Sequence, residues 1–400
     1  MRLARSVFAA SVVSALLVAS NAHAIEPDPP KSLISPEEAI VISLRLRLDD
    51  APRGLDKAAR DERRALSQFY ATEAHRPLWV TENGLTEQAR KIIAEIRKAD
   101  RWGLQASAFD LPQDRAGTRL SPAELVDVEL KVSLAAVQYA RYARGGRYDP
   151  RELSVAIDRV PELPEVGEVV TTLLAARDPA AALTAYHPQH EQFQRLRQAY
   201  LKALEYEQDP ILQREVENEI HPNTPVRNPQ RSKKKLSKRI LYNMEMWRWM
   251  PRTLGRTYIQ ANVPEFLFRI VRDGEVIHEE RIITGKVKHM TPIFSDQMQT
   301  VVLNPKWNVP NSIKVKELLP GLLRGQDVLG RQGLRVNYNG REVDPYAIDW
   351  GAEDIRNFHI YQPPGGSNAL GRLKFLFPNR HAVYMHDTPT KHLFKQGTRA

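Results

Sequence analysis

Phe266-Leu-Phe-Arg-Ile-Val-Arg-Asp-Gly-Glu-Val-Ile-His-Glu-Glu-Arg-Ile-Ile283 decides how this chain divides. Phe266, Phe268 and Ile270 alternate with Leu267, Arg269 and Val271, and a period of two is what a strand needs to send successive side chains to opposite faces. Asp273-Gly274 follows, the strongest short hairpin signal, because both residues tolerate the positive φ of a tight turn. Val276 to Ile283 then reads as the return strand. Further strands are expected at Thr300–Leu303, Gly333–Val336 and His381–His386, with dense turn residues between them, including Pro363-Pro364-Gly365-Gly366 and Pro378-Asn379. The period of two begins after Met250-Pro251. Residues 241–400 are therefore expected to form an all-β, sandwich-like domain, with one long irregular excursion at about 310–375 that covers or shapes a site.

Upstream of this domain the pattern is helical. Ser35-Pro-Glu-Glu38 and Ser121-Pro-Ala-Glu124 are capping boxes with proline at the first helical position. Thr86 opens a helix with Ala89, Ile92, Ile93 and Ile96 on one face, and Gly103 is placed as a left-handed cap past its end. Leu125 to Tyr142 repeats the helical apolar spacing. The expected fold class is α+β and multidomain: a helical domain over 25–207, a basic proline-containing linker over 208–240, and the sheet domain. Residues 1–24 read as a cleaved signal peptide, from Arg2 and Arg5, the apolar run Val7–Val18 and the small residues of Ala22-His23-Ala24. No later stretch approaches the roughly 20 apolar residues of a membrane span. Export to the periplasm is the expected fate.

The chain has 400 residues, a net charge of +10 and no cysteine, so no disulfide holds it. The positive charge suits an anionic cell-wall polymer or a membrane surface, or serves only for solubility, and export argues against nucleic acid. Arg231, Lys233, Lys234, Lys235, Lys238 and Arg239 concentrate that charge in the linker. Such a run is usually a solvated face. Ser232-Lys-Lys-Lys235 matches the Ser-x-x-Lys pattern of penicillin-binding enzymes only by falling in a lysine-rich tract, without a Lys-Thr-Gly partner.

Chemistry is concentrated near the end of the sheet half. If His381-Ala-Val-Tyr-Met-His386 is a strand, Tyr384 and His386 share one face and can look into a cleft while Val383 and Met385 face a core. His386, beside a Thr-Pro turn, is then read either as a general base or as a structural histidine. A metal centre is not expected. His278, His289, His359, His381, His386 and His392 include no His-x-His or His-Glu-x-x-His spacing, and His381 and His386 would point to opposite faces. Gly365-Gly366-Ser367-Asn368-Ala369 lacks the second glycine of a serine nucleophile elbow. No cofactor is implied.

Several stretches together carry a resemblance. They are Met246-Trp-Arg-Trp-Met-Pro251, Thr291-Pro-Ile-Phe-Ser295, Asn304-Pro-Lys-Trp-Asn-Val-Pro-Asn-Ser-Ile313, Gln362-Pro-Pro-Gly365, Asn368-Ala-Leu-Gly371, Lys374-Phe-Leu-Phe-Pro-Asn379 and Val383-Tyr-Met-His-Asp-Thr-Pro389. Over about 238–400 the chain resembles the YkuD-like L,D-transpeptidases, in their large periplasmic murein branch. Pro77-Leu-Trp79, Gly103-Leu104 and Tyr148-Asp-Pro150 resemble that branch's scaffold domain. The resemblance implies cysteine-dependent acyl transfer between peptidoglycan stem peptides, a donor tetrapeptide and an acceptor diamino acid, giving 3→3 cross-links. It implies His386 as general base, Tyr384 as a cleft-lining substrate residue, and the excursion as a capping subdomain. The family's Ser-His-Gly-Cys motif would follow shortly after the segment Phe394 to Ala400, so the nucleophile is missing and the chain is expected to be a truncated, inactive copy. A non-catalytic peptidoglycan-binding pseudoenzyme and an L,D-carboxypeptidase using water as acceptor are the alternatives. The branch's helical peptidoglycan-binding module is replaced by the short 208–240 stretch.

Overall fold

Two serine caps start helices of the first half. The computed structural model describes residues 34–113, 119–208 and 229–399, so the expected signal peptide and residues 209–228 of the expected linker lie outside the described residues. Ser35 Oγ accepts from Glu38 N at 3.1 Å while Ser35 N donates to Glu38 Oε2 at 2.9 Å, opening α1 (Pro36–Asp49). Ser121 and Glu124 make the same reciprocal pair at α4 (Pro122–Gly145). Between them lie α2 (Lys57–Thr72), a two-residue ribbon of β1 (Val80–Thr81) and β2 (Gly84–Leu85), and α3 (Glu87–Ile96). Ala89, Ile92, Ile93 and Ile96 of α3 are buried, as the spacing requires. Gly103 does adopt the left-handed conformation (φ 73°), but it caps the short 3₁₀ turn Ala99–Trp102 that follows α3 rather than α3 itself.

α4 is the axis of this half. Its Val132, Ala136, Val137, Tyr139, Ala140 and Ala143 are almost wholly buried, and they pack with residues of α1, α2, α3 and α6 (Val166–Ala175) in one continuous core. The single turn α5 (Pro150–Leu153) and the short α7 (Pro179–Thr184) complete the layer. α8 (Glu191–Gln208) lies against α9 (Pro229–Arg248) over a smaller core of Phe193, Tyr200 and Met244. This corrects the linker reading: residues 229–240 are helical, and the later turns of α9 dock on the helical half. The side chains of Arg231 and Lys233–Lys235 lie outside the described residues. Arg248 closes that contact, fully buried, with Nη2 donating to Trp102 O at 2.6 Å. The Met246–Pro251 stretch thus belongs to the packing of the first half.

The sheet half begins after Pro251 with the expected hairpin. β3 (Thr257–Asn262), β4 (Leu267–Arg272) and β5 (Glu275–Arg281) form an antiparallel meander. Asp273 (φ 50°) and Gly274 (φ 86°) both take the left-handed conformation at its turn. The rest of the expected sheet domain is built from two further sheets. β6 (Thr300–Leu303), β11 (Leu373–Leu376) and β12 (Met385–His386) make the second, in the order β12-β11-β6. β7 (Trp307–Asn308), β8 (Arg335–Tyr338), β9 (Arg341–Val343) and β10 (His359–Gln362) make the third, in the order β7-β10-β8-β9.

That third sheet corrects the irregular excursion. A helical stretch over Asn311–Leu322 and the sheet share their own core of Val309, Leu318, Leu334, Val336, Trp350, Phe358 and Ile360. Apolar runs of this brevity carry no measurable period, which is why the subdomain reads as irregular from sequence. The Asn339-Gly340 dipeptide (φ 50° and 80°) turns β8 into β9 and was the missed signal. The architecture is a helical region followed by a sheet-rich one, α+β. Among the described residues no helix is long and apolar enough to cross a membrane.

Candidate active site

The expected strand 381–386 exists only at its end. Asn379 takes over the backbone ahead of it: its Oδ1 accepts from His381 N and Val383 N, both at 3.0 Å, and its Nδ2 donates to Val383 O at 2.7 Å. A side-chain amide competing for backbone groups prevents the ladder from extending. Ala382, at φ 53°, makes the bend. Regular pairing begins only at β12, where Met385 faces Phe375 and His386 faces Lys374 of β11.

Tyr384 and His386 are nevertheless brought together, as expected, with ring centroids 5.3 Å apart. His386 is exposed, and its Nδ1 lies 2.5 Å from Asp387 O. A carbonyl oxygen can only accept, so Nδ1 carries the proton in that bond. Asp387 is itself held in place. Its Oδ1 accepts from Thr388 N at 2.7 Å, and its side chain lies so close to Gly371 (φ 63°) that a Cβ at 371 would collide with it. Glycine is therefore required at the end of Asn368-Ala-Leu-Gly371 for two steric reasons.

Lys374 was not singled out from sequence and belongs to this cluster. Its Nζ sits 3.9 Å from the centroid of the Tyr384 ring, a cation–π contact. Among the described residues it has no carboxylate partner. Burial pushes the Lys374 ammonium below its ordinary pKa and the Tyr384 phenol above its own. The signal available was a lysine inside the apolar strand Leu373-Lys-Phe-Leu376. Tyr384 also lines a cavity of about 380 Å³ with Gln299, Thr300, Phe377, Pro378 and Val383; His386 stands outside its lining.

Other stretches that carry the resemblance serve to hold backbone. Asn368 is fully buried, and its Nδ2 is shared among the carbonyls of Pro305 (3.1 Å), Gln362 (3.2 Å) and Pro363 (2.8 Å). Gln362 donates to Gln332 O and Ser367 O and accepts from Ala369 N. These bonds tie β10 of the third sheet to the loop that follows it and to Pro305. Arg399 likewise donates to Ile282 O, Gln396 O and Phe266 O, pinning residues 391–399 against the β4–β5 hairpin. Among the described residues no group of histidines and carboxylates has the makings of a metal centre.

Comparison with known proteins agrees with this division. Residues 64–199 match the family profile described as Scaffold domain, and residues 256–400 match the L,D-transpeptidase catalytic domain, YkuD. A Haemophilus influenzae protein named "Putative L,D-transpeptidase" is 26% identical over 343 residues, which cover 84% of this chain. The chain spans 63% of that relative's length.

Proposed function

Because the chain carries a Scaffold domain followed by a YkuD-type L,D-transpeptidase catalytic domain, we propose that it is a periplasmic protein that acts on peptidoglycan stem peptides, with His386 as general base. In cysteine-dependent acyl transfer the thiol gives its proton to an imidazole. The thiolate attacks the carbonyl of the L-centre of a donor tetrapeptide, D-alanine leaves and a thioester forms. The side-chain amine of an acceptor diamino acid then breaks the thioester, giving a 3→3 cross-link.

One observation supports the role of His386 above the rest: it is exposed beside Tyr384, and with Nδ1 engaged by Asp387 O, Nε2 is the ring nitrogen left to meet a reacting group. Tyr384, 5.3 Å away between ring centroids, is the substrate residue of this reading. Residues 1–400 contain no cysteine, so the thiol of this scheme is not among them.

The test has two arms. Intact-protein mass spectrometry after incubation with a carbapenem is expected to show no added mass. A tetrapeptide stem is expected to shift the ring resonances of His386 and Tyr384. A covalent adduct would overturn the first expectation, and unmoved resonances at both residues would overturn the placement of the site.

A further inference from the structure

The two halves meet along a seam that leaves buried positive charge without a close counter-ion. Residues following α5 leave the helical half and pair with the sheet half, with Ile293 N donating to Ala156 O at 2.7 Å and Asp158 N to Ile293 O at 2.9 Å. A cavity of about 140 Å³ lies in this seam, lined by Arg144 of α4, Asp158, Arg159 and Glu162 of the crossing segment, Trp249, and Ser295 of the sheet half.

Arg144 is 5% exposed. Its Nη1 donates to Arg248 O and Met250 O, both at 3.2 Å, but its Nε and Nη2 are buried and make no hydrogen bond. The nearest carboxylate, Glu162 Oε2, stands 3.8 Å from Nη2 on a side chain that is 79% exposed. Arg159 donates to Ser295 Oγ at 2.8 Å and Phe294 O at 3.2 Å, and among the described residues it has no carboxylate partner. Asp158, the other acid of the lining, is already engaged by Arg380 (2.6 Å) and His381 (2.8 Å). Burial pushes both guanidinium groups below their ordinary pKa, and at Arg144 the charge of Arg252 adds to the effect. Buried charge is normally paired, because desolvation of an unpaired ion is costly. A guanidinium with free N–H groups offers the fork that planar or tetrahedral oxyanions accept. The volume is enough for a carboxylate or phosphate group.

We propose that the seam carries a binding site for one compact oxyanion, a carboxylate or phosphate group, held by Arg144 and Arg159 with Ser295 beside them. Its donors come from both halves of the molecule, so the bound anion would fasten one to the other. The site does not depend on His386 or on the assignment of the acyl-transfer chemistry.

Calorimetric titration of the 400-residue protein with inorganic phosphate and, separately, with acetate at fixed ionic strength tests this. One saturable site is expected with at least one of the two. Preference for acetate would point to a peptide carboxylate as the source, and preference for phosphate to a phosphorylated polymer. Arg159→Gln is expected to weaken binding about tenfold or more, the scale of losing one charge-assisted hydrogen bond. Glu162→Gln, on an exposed side chain that leaves the fold untouched, is expected to tighten binding several-fold by removing the competing carboxylate. Absence of saturable binding with both anions overturns the proposal, as does an affinity that Glu162→Gln leaves unchanged.

Discussion

The helical and sheet halves are held together by different kinds of interaction. In the helical half Leu44, Trp79, Ile92, Val137 and Leu173 are wholly buried in one core, and burial of apolar area stabilises it. In the sheet half every residue of β5 is exposed, and the elements are joined by side chains that grip backbone carbonyls: Asn368, Gln362, Asn379 and Arg399. Where apolar area is scarce, polar residues assume structural work, and a polar motif there is weak evidence of chemistry. The informative residues are those left over once the backbone clamps are subtracted. Lys374, Tyr384 and His386 are what remains.

Glu129 is an exception in the helical half, and it offers the largest effect by which the contrast can be broken. Glu129 is buried in the core, where Oε1 accepts from Tyr70 OH at 2.5 Å and Leu78 N at 2.7 Å, and Oε2 from Trp79 N at 2.9 Å. Burial raises its pKa from the ordinary 4.5 to about 7, against the pull of those donors. Between these values the folded protein binds a proton that the unfolded chain has lost, so stability falls as pH rises through the window. A shift of this size corresponds to roughly 3 kcal/mol as an upper bound. Urea unfolding followed at helical wavelengths is expected to show that decline between about pH 4.5 and 7, and Glu129→Gln is expected to flatten the slope, leaving the smaller part due to Glu62, whose carboxyl pKa is also raised by burial. A flat wild-type profile would show that the three donors outweigh desolvation.

A smaller effect sharpens the other side of the comparison. Asn368→Ala removes a donor from three buried or half-buried carbonyls and an acceptor from Leu370 N. Leaving such groups unsatisfied costs about 2 kcal/mol. The loss is expected to appear as faster amide exchange across residues 305–370, with the exchange of α4 unchanged. If α4 exchange accelerates equally, the two halves unfold as one unit and the contrast between them has no thermodynamic meaning.

The same contrast explains what could be read from sequence. The serine caps, the apolar face of α3 and the Asp273-Gly274 hairpin are local signals, and each appears where its residues stand. The strand expected at 381–386 fails because Asn379, outside it, captures the backbone of His381 and Val383. Periodicity has no access to such a contact. The subdomain over 310–375 was lost because its strands are two to four residues long. At the site, Tyr384 and His386 were legible through their spacing and the family resemblance. Lys374 was not, since its approach to Tyr384 depends on the register of β11 against β12.

The smallest expected effect is the most discriminating. His386 is exposed, sits on a two-residue edge strand, and makes its only described side-chain hydrogen bond to its neighbour's carbonyl. Surface substitutions away from caps and cores change stability by about 0.5 kcal/mol or less. His386→Ala is therefore expected to leave the urea midpoint of both halves nearly unchanged, whereas Asn368→Ala moves that of the sheet half. If His386→Ala instead destabilises the sheet half by as much as Asn368→Ala, His386 joins the backbone clamps, and the base must be sought elsewhere.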